Sequence, residues 1–248
     1  MRIDVSLLPG QTFDTARSVC IVVDVLRASS SIVTLLEQGA TRVIAAAGID
    51  EARALHERLP EYLLCGERGG LPPSGFDHGN SPAEFSRLDL AGKSAILATS
   101  NGTRLLAALA DAPALLTGCL LNRTAVAEAT LRIARERDLA IATVCSAAHG
   151  GSTFVLEDAL GAGAIVAAAL ATDHTLEAAD AARVARDAFL TASQDLPSVV
   201  ASSYHARELA AAGFADDVAY CARLDVSEVV PVLERAEGGT LALLRYRE

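Results

Sequence analysis

Short runs of aliphatic and β-branched residues alternate along this chain with stretches whose apolar positions recur every three or four residues. The first kind reads as strands buried on both faces, the second as helices. "SVCIVVDV" (Ser18–Val25) predicts a strand, and "SSIVTLLEQG" a helix closed by Gly39. "RVIAA", "YLLCG", "SAILAT", "ALLTGC" and "LAIATVC" predict five further strands. "IDEARALHERL", "GTRLLAALAD" and "RTAVAEATLRIARERD" predict helices, and another starts near Leu156. From Leu176 to Cys221 the pattern is helical. "VVPVL" and "TLALLRY" then read as two strands joined by the turn "AEGG", an expected edge hairpin. Alternating β and α segments predict an α/β fold, a mainly parallel but mixed sheet with helices on both faces.

Ligands in such sheets sit beyond the carboxyl ends of the strands. Three strand-to-helix turns look alike: "DVLRASSS" (Asp24–Ser31), "TSNGTR" (Thr99–Arg104) and "CSAAHGGST" (Cys145–Thr153). Val22–Ala40 and Thr143–Gly163 also share a strand, turn, helix, acid and glycine layout, as either an internal duplication or convergent α/β grammar would produce. A fourth excursion, "GERGGLPPSGFDHGNSP" (Gly66–Pro82), is polar and rich in glycine and proline. Gly69 and Gly70 suit close backbone approach, and Pro72 and Pro73 stiffen the loop.

Composition narrows the class. With 51 % apolar and 21 % charged residues, the 248-residue chain can bury a sizeable core. A net charge of −10 argues against nonspecific nucleic-acid binding and against anionic membrane surfaces. The apolar run at Gly161–Ala171 is too short to span a bilayer. The N-terminal stretch has Asp4 where a signal peptide needs apolar residues, so a cytoplasmic location is expected. The five cysteines, with no CxxC, read as free buried thiols rather than a zinc site. The apolar helix near Ala162–Ala171 and the terminal hairpin leave both core packing and a homodimer contact open.

A helix N-terminus attracts anions, and hydroxyl or amide residues there either cap the helix or bind oxyanions. Ser29, Ser30, Asn101, Gly102, Thr103 and Ser152 are the substrate-binding candidates on that basis. Arg27, Arg104 and Arg68 lie in or beside these turns, and arginine matches an oxyanion bidentately. Asp24 ends a buried strand, as either a turn cap or a metal ligand or nucleophile. Glu67 is either an ion-pair partner of Arg68 or functional, and Glu157 and Asp158 either complement a helix dipole or bind metal. Carboxylates beside arginines suggest an oxygen-ligated divalent ion next to an anionic substrate. Magnesium is favoured over zinc because His and Cys do not cluster. His78 and His149 read as surface histidines or general acids, and Asp77 as a loop cap or an outer metal partner.

Several enzyme classes are excluded. "GKS" at Gly92–Ser94 has Arg87 where a P-loop needs glycine, and no dinucleotide fingerprint follows a strand. Cys145 and Cys65 lack the arginine six positions on that a cysteine phosphatase loop needs, and Asp24 lacks the DxD of haloacid-dehalogenase phosphatases.

"VVDVLRASSSI", "GERGGLPPSGFDHGNSP", "TSNGTR" and "LEDALGAGAI", in this order, resemble the 2-phosphosulfolactate phosphatases of the ComB type. The resemblance is clear from Asp4 to Val166 and looser beyond. It implies one domain over residues 1–248 with a three-layer α/β/α fold. It also implies a magnesium-dependent acid phosphatase converting 2-phospho-3-sulfolactate, or a similar phosphorylated hydroxy acid, to 3-sulfolactate and phosphate, a step toward coenzyme M. Motif position and chemistry then assign the roles. Asp24, Arg27, Glu67 and Arg104 are the catalytic candidates, and Asp24, Glu67, Glu157 and Asp158 the metal ligands. Arg68 is placed to face sulfonate or carboxylate. The rival expectation is a non-catalytic anion-binding protein using the same cradles. A phosphotransferase is weaker, since no nucleotide site is visible.

Overall fold

The computed structural model describes residues 1–10, 13–235 and 239–247. In chain order the strands are β1 (Arg2–Ser6), β2 (Ser18–Val23), β3 (Arg42–Ala46), β4 (Leu63–Gly66), β5 (Ser94–Ala98), β6 (Ala114–Gly118), β7 (Ala140–Cys145), β8 (Glu177–Ala178), β9 (Pro231–Arg235) and β10 (Leu241–Arg245). The helices are α1 (Ala28–Glu37), α2 (Ile49–Arg58), the single turn α3 (Pro82–Phe85), α4 (Gly102–Ala108), α5 (Arg123–Arg137), α6 (Leu156–Thr172), α7 (Asp180–Ala192), α8 (Leu196–Ala201), α9 (Tyr204–Ala211) and α10 (Ala215–Cys221).

The described strands form one mixed sheet in the order β4-β5-β3-β10-β9-β6-β2-β7-β1-β8. Strand side chains alternate between faces, and the core divides accordingly. Val43, Ala45, Ala95 and Leu97 join the main cluster, while Ile44, Ala46, Ile96 and Ala98 pack under Ala52 and Leu55 of α2 on the other face. The result is a three-layer α/β fold. All six residues of β2 are buried, as a strand covered on both faces requires. The five cysteines are buried and free. Among the described residues, no helix is long and apolar enough to cross a membrane.

Three expectations change. The terminal hairpin is central, not at an edge: β10 pairs antiparallel with β3, and β9 antiparallel with β6. Its turn lies, but for Gly239, outside the described residues. β1 was not expected; "RIDVS" inserts between β7 and β8, with Ile3 and Val5 buried. The Ala162–Ala171 stretch belongs to α6 and is mostly core within one chain, with Ala162, Ala164, Ile165 and Val166 fully buried. Gly163 is needed there, since a Cβ would stand 2.0 Å from the Ala185 carbonyl oxygen of α7.

The hairpin also decides where a site can form. It separates two parallel blocks, β4-β5-β3 and β6-β2-β7-β1-β8, and its antiparallel pairings reverse one block relative to the other. Adjacent strands rotate by roughly 20–25°, so over the five steps from β2 to β5 the blocks turn by about 100° or more. Carboxyl ends that a flat sheet would put on opposite edges therefore meet at one cleft.

Candidate active site

The turns after β2, β4, β5 and β7 and the helix α9 enclose a cavity of about 420 Å³. Asp24, Arg27, Glu67, Asn80, Asn101, His149, His205 and Glu208 contribute its polar lining, with Leu26, Leu209 and Ala212 on its apolar wall.

Asp24 stands at the floor, 5 % exposed. Its Oδ1 accepts from the Ala28 N–H at 3.1 Å, capping α1, and its backbone carbonyl accepts from the Ser29 N–H at 2.8 Å. A Cβ at Gly102 would lie 2.6 Å from Asp24 Oδ2, so only glycine lets α4 come this close. Asp158 lies behind. Its Oδ1 accepts from Val25 N–H (2.8 Å), and its Oδ2 from Ala147 N–H and the Ser146 hydroxyl (both 3.1 Å). Glu157 is the anomaly. It is 1 % exposed, and neither carboxylate oxygen has a hydrogen-bond partner. Its own backbone N–H and the Ser203 hydroxyl lie near enough to favour its charged form, against burial.

The three acids hold their protons above the ordinary range. Burial is the main cause in each. For Asp158 the charges of Asp24 and Glu157 add to it, and for Glu157 the charge of Asp24 does. His205 pulls Asp24 and Glu157 the other way. Among the described residues no three His, Cys, Asp or Glu side chains gather as a metal cluster.

Arg27 is buried on the wall. Its Nη1 donates to Asp217 Oδ2 and its Nη2 to the Gly70 carbonyl, both at 2.7 Å, and its guanidinium lies 4.3 Å from the Phe214 ring centre. Asp217 Oδ1 in turn accepts from the Ser81 hydroxyl (2.6 Å) and the Ala83 N–H (3.1 Å). One carboxylate of α10 thus fixes both the arginine and the Gly66–Pro82 loop. Glu67 does not pair with Arg68. It accepts from Gly70 N–H (2.8 Å) and Ser100 N–H (2.6 Å), joining two turns at the cleft edge. Asn101 Oδ1 accepts from Gly150 N–H at 3.0 Å. Asp77 is a loop cap: its Oδ2 accepts from Leu64 N–H at 2.8 Å.

Other candidates lie elsewhere. Arg104 is exposed and does not line the cavity; two residues beyond Gly102, the helix has turned by about 200°. Arg68 sits on the exposed loop tip, where its N–H bonds the Leu71 carbonyl at 2.9 Å. Ser152 is exposed, and its hydroxyl donates to the His149 carbonyl at 2.9 Å. Ser29 and Ser30 donate to the Val22 and Val25 carbonyls from inside α1. Thr103 latches to Thr99, its Oγ1 accepting from the Thr99 N–H at 3.0 Å. The expected open cradles at α1 and α4 are therefore occupied by the chain's own oxygens: Asp24 serves α1, and Thr99 Oγ1 accepts from Thr103 N–H. His78 Nδ1 is 2.7 Å from Glu84 Oε1 and does not line the cavity.

Sequence reasoning missed His205 and Glu208, and it turned Asn80 toward the site without assigning it a role. The two helical residues carried no motif, and His205 meets Leu26 across 179 residues. Asn80 had a signal, its place in the Gly66–Pro82 loop. It is 4 % exposed, lines the cavity, and its Oδ1 has no partner.

Buried acids at strand ends and a polar cleft thus mark one candidate site on a three-layer α/β fold. The sequence profile described as 2-phosphosulpholactate phosphatase matches residues 6–236. The chain belongs to that family. It is 37 % identical over 238 residues to a protein of Carboxydothermus hydrogenoformans, covering 96 % of this chain and 95 % of that one. It is 37 % identical over 247 residues to a protein of Deinococcus radiodurans, covering 99 % of each. A third relative, from Pseudothermotoga lettingae, is 38 % identical over 93 % of this chain and 95 % of its own. Each carries the name "Probable 2-phosphosulfolactate phosphatase".

Proposed function

We propose that this protein is a Mg²⁺-dependent phosphatase that hydrolyses 2-phospho-3-sulfolactate, or a closely similar phosphorylated 2-hydroxy acid, to the hydroxy acid and phosphate. Family membership supports the reaction class. The observation that carries the cation is Glu157, a carboxylate buried to 1 % with both oxygens unpartnered and Asp24 nearby. A buried carboxyl group with neither oxygen hydrogen-bonded costs free energy in either protonation state, so a fold that keeps one has a use for it. Mg²⁺ takes oxygen ligands and is commonly held by only one or two carboxylates, with waters and substrate phosphate completing the shell. Asp24, whose Oδ1 alone accepts from a backbone N–H, and Glu157 fit that donor set, while both oxygens of Asp158 and of Glu67 are already committed to backbone donors. The ion would neutralise phosphoryl oxygens as a Lewis acid.

The chain's own residues do the rest. Arg27, aimed by Asp217 and Gly70, places a fixed positive charge on the wall. Asn80 and Asn101 offer neutral polar contacts that orient the substrate. Metal-free anion binding is disfavoured, because Asp24, Glu67 and Glu208 line the cavity and Arg27 is already paired. The test is phosphate release from 2-phosphosulfolactate with Mg²⁺ and with EDTA. Turnover only with the metal is expected; no release from this or any phosphorylated hydroxy acid refutes the reading.

A further inference from the structure

We propose that His205 of α9 is the proton donor to the departing alcohol, an inference that rests on the phosphomonoester reading above. The ring lines the cavity, and its Nε2 lies 3.1 Å from the Leu26 carbonyl oxygen, in the turn that carries Asp24 and Arg27. A carbonyl only accepts, so Nε2 carries a hydrogen, and the proton that can be given up and regained is the one on Nδ1. Nδ1 faces Glu208 Oε2 at 3.7 Å, a carboxylate that also lines the cavity. Asp24 from the β2–α1 turn and Glu157 from α6 couple electrostatically to the ring, and Arg27 is the cation sharing the cavity. Arg27 cannot serve as donor, because a guanidinium does not give up its proton in a protein. His149 also lines the cavity. It sits exposed on a turn at φ 52°, and its ring makes no hydrogen bond among the described residues.

An aliphatic phosphomonoester expels an alkoxide, which is a poor leaving group until protonated. As the oxygen of water bonds to phosphorus, the bond from phosphorus to the ester oxygen breaks. The bonding pair stays on the ester oxygen, which takes the Nδ1 proton and leaves as the alcohol. The product departs as dihydrogen phosphate carrying both water protons. One of them returns through solvent to the neutral imidazole, so the cycle closes as ester plus water giving alcohol plus hydrogen phosphate.

The variant His205→Gln removes the donor. The side chain is 27 % exposed, so the fold tolerates the change, which an unaltered Mg²⁺-induced rise in melting temperature checks independently. On 2-phosphosulfolactate, kcat/KM is expected to fall about 10²–10⁴-fold, the usual worth of a positioned acid. The alkaline limb of its pH profile disappears. On 4-nitrophenyl phosphate, whose leaving group needs no proton, the loss stays under about tenfold. Equal losses on both esters, or an alkaline limb retained by the variant, overturn the proposal. Wild-type protein that hydrolyses neither ester overturns the phosphatase reading itself, and this inference with it.

Discussion

Glu157 and Asp158 are adjacent in the first turn of α6, carry the same charge, and are almost equally buried. Their surroundings are opposite. Asp158 receives two backbone N–H groups and a hydroxyl, and stitches the β2 turn to the β7 turn. Glu157, rotated by about 100° on the helix, has no hydrogen-bond partner on either oxygen, with only its own N–H and the Ser203 hydroxyl nearby. Burial and sequence position therefore do not tell a structural acid from a functional one; the partner count does. Asp158 is finished as the fold stands, whereas both Glu157 oxygens stand open, as the proposed cation requires.

The largest effect expected from this contrast is on Asp158→Ala. The substitution strands Val25 N–H, Ala147 N–H and the Ser146 hydroxyl. At about 1–3 kcal/mol per buried group left unpaired, it destabilises by about 3 kcal/mol or more. For a chain of this size that is roughly 6–12 °C of melting temperature by calorimetry. An unchanged transition would erase the distinction between the two acids.

Glu157→Gln strands no hydrogen-bond donor, so the metal-free protein changes stability by about 1 kcal/mol or less, while Mg²⁺ no longer shifts the transition and turnover is lost. Destabilisation equal to that of Asp158→Ala would make Glu157 a structural residue too.

The pH dependence follows from the same cluster. In the unfolded chain these carboxyls titrate at their ordinary values, 3.8 for Asp24 and Asp158 and 4.5 for Glu157. In the fold they keep their protons to higher pH, so the folded form binds more protons and stability falls as pH rises above those values. The cluster's contribution is full below the ordinary range and lost as pH climbs through the raised folded values. Denaturant titrations of the metal-free protein from pH 5 to 8 should show that decline, and saturating Mg²⁺ should flatten it. A metal-free profile flat over that range would contradict the raised values. The smallest effect is reserved for Arg104→Ala, which should leave kcat/KM within about twofold, as for a solvated surface charge.

Much of the fold was legible locally. β2, β3, β5 and β7 lie within a residue or two of their apolar runs, because buried parallel strands must be apolar on both faces. The hairpin's place in the sheet was not legible, since the partners of β9 and β10 are set by non-local pairing. β1 escaped notice because "RIDVS" carries charge at both Arg2 and Asp4. In the site, Asp24, Arg27, Glu67 and Asn101 reach the cavity because turns directly after strands leave little choice of direction. Arg104 misses it because one helical step decides which way a side chain points. His205 was invisible because its meaning comes from the Leu26 carbonyl, brought near by tertiary packing.

The most direct test of a cation seated on Asp24 and Glu157 is calorimetric titration of Mg²⁺ into wild-type protein and Glu157→Gln at pH 8. The account predicts saturable binding to the wild type and none to the variant. Equal Mg²⁺ binding by both proteins would contradict it.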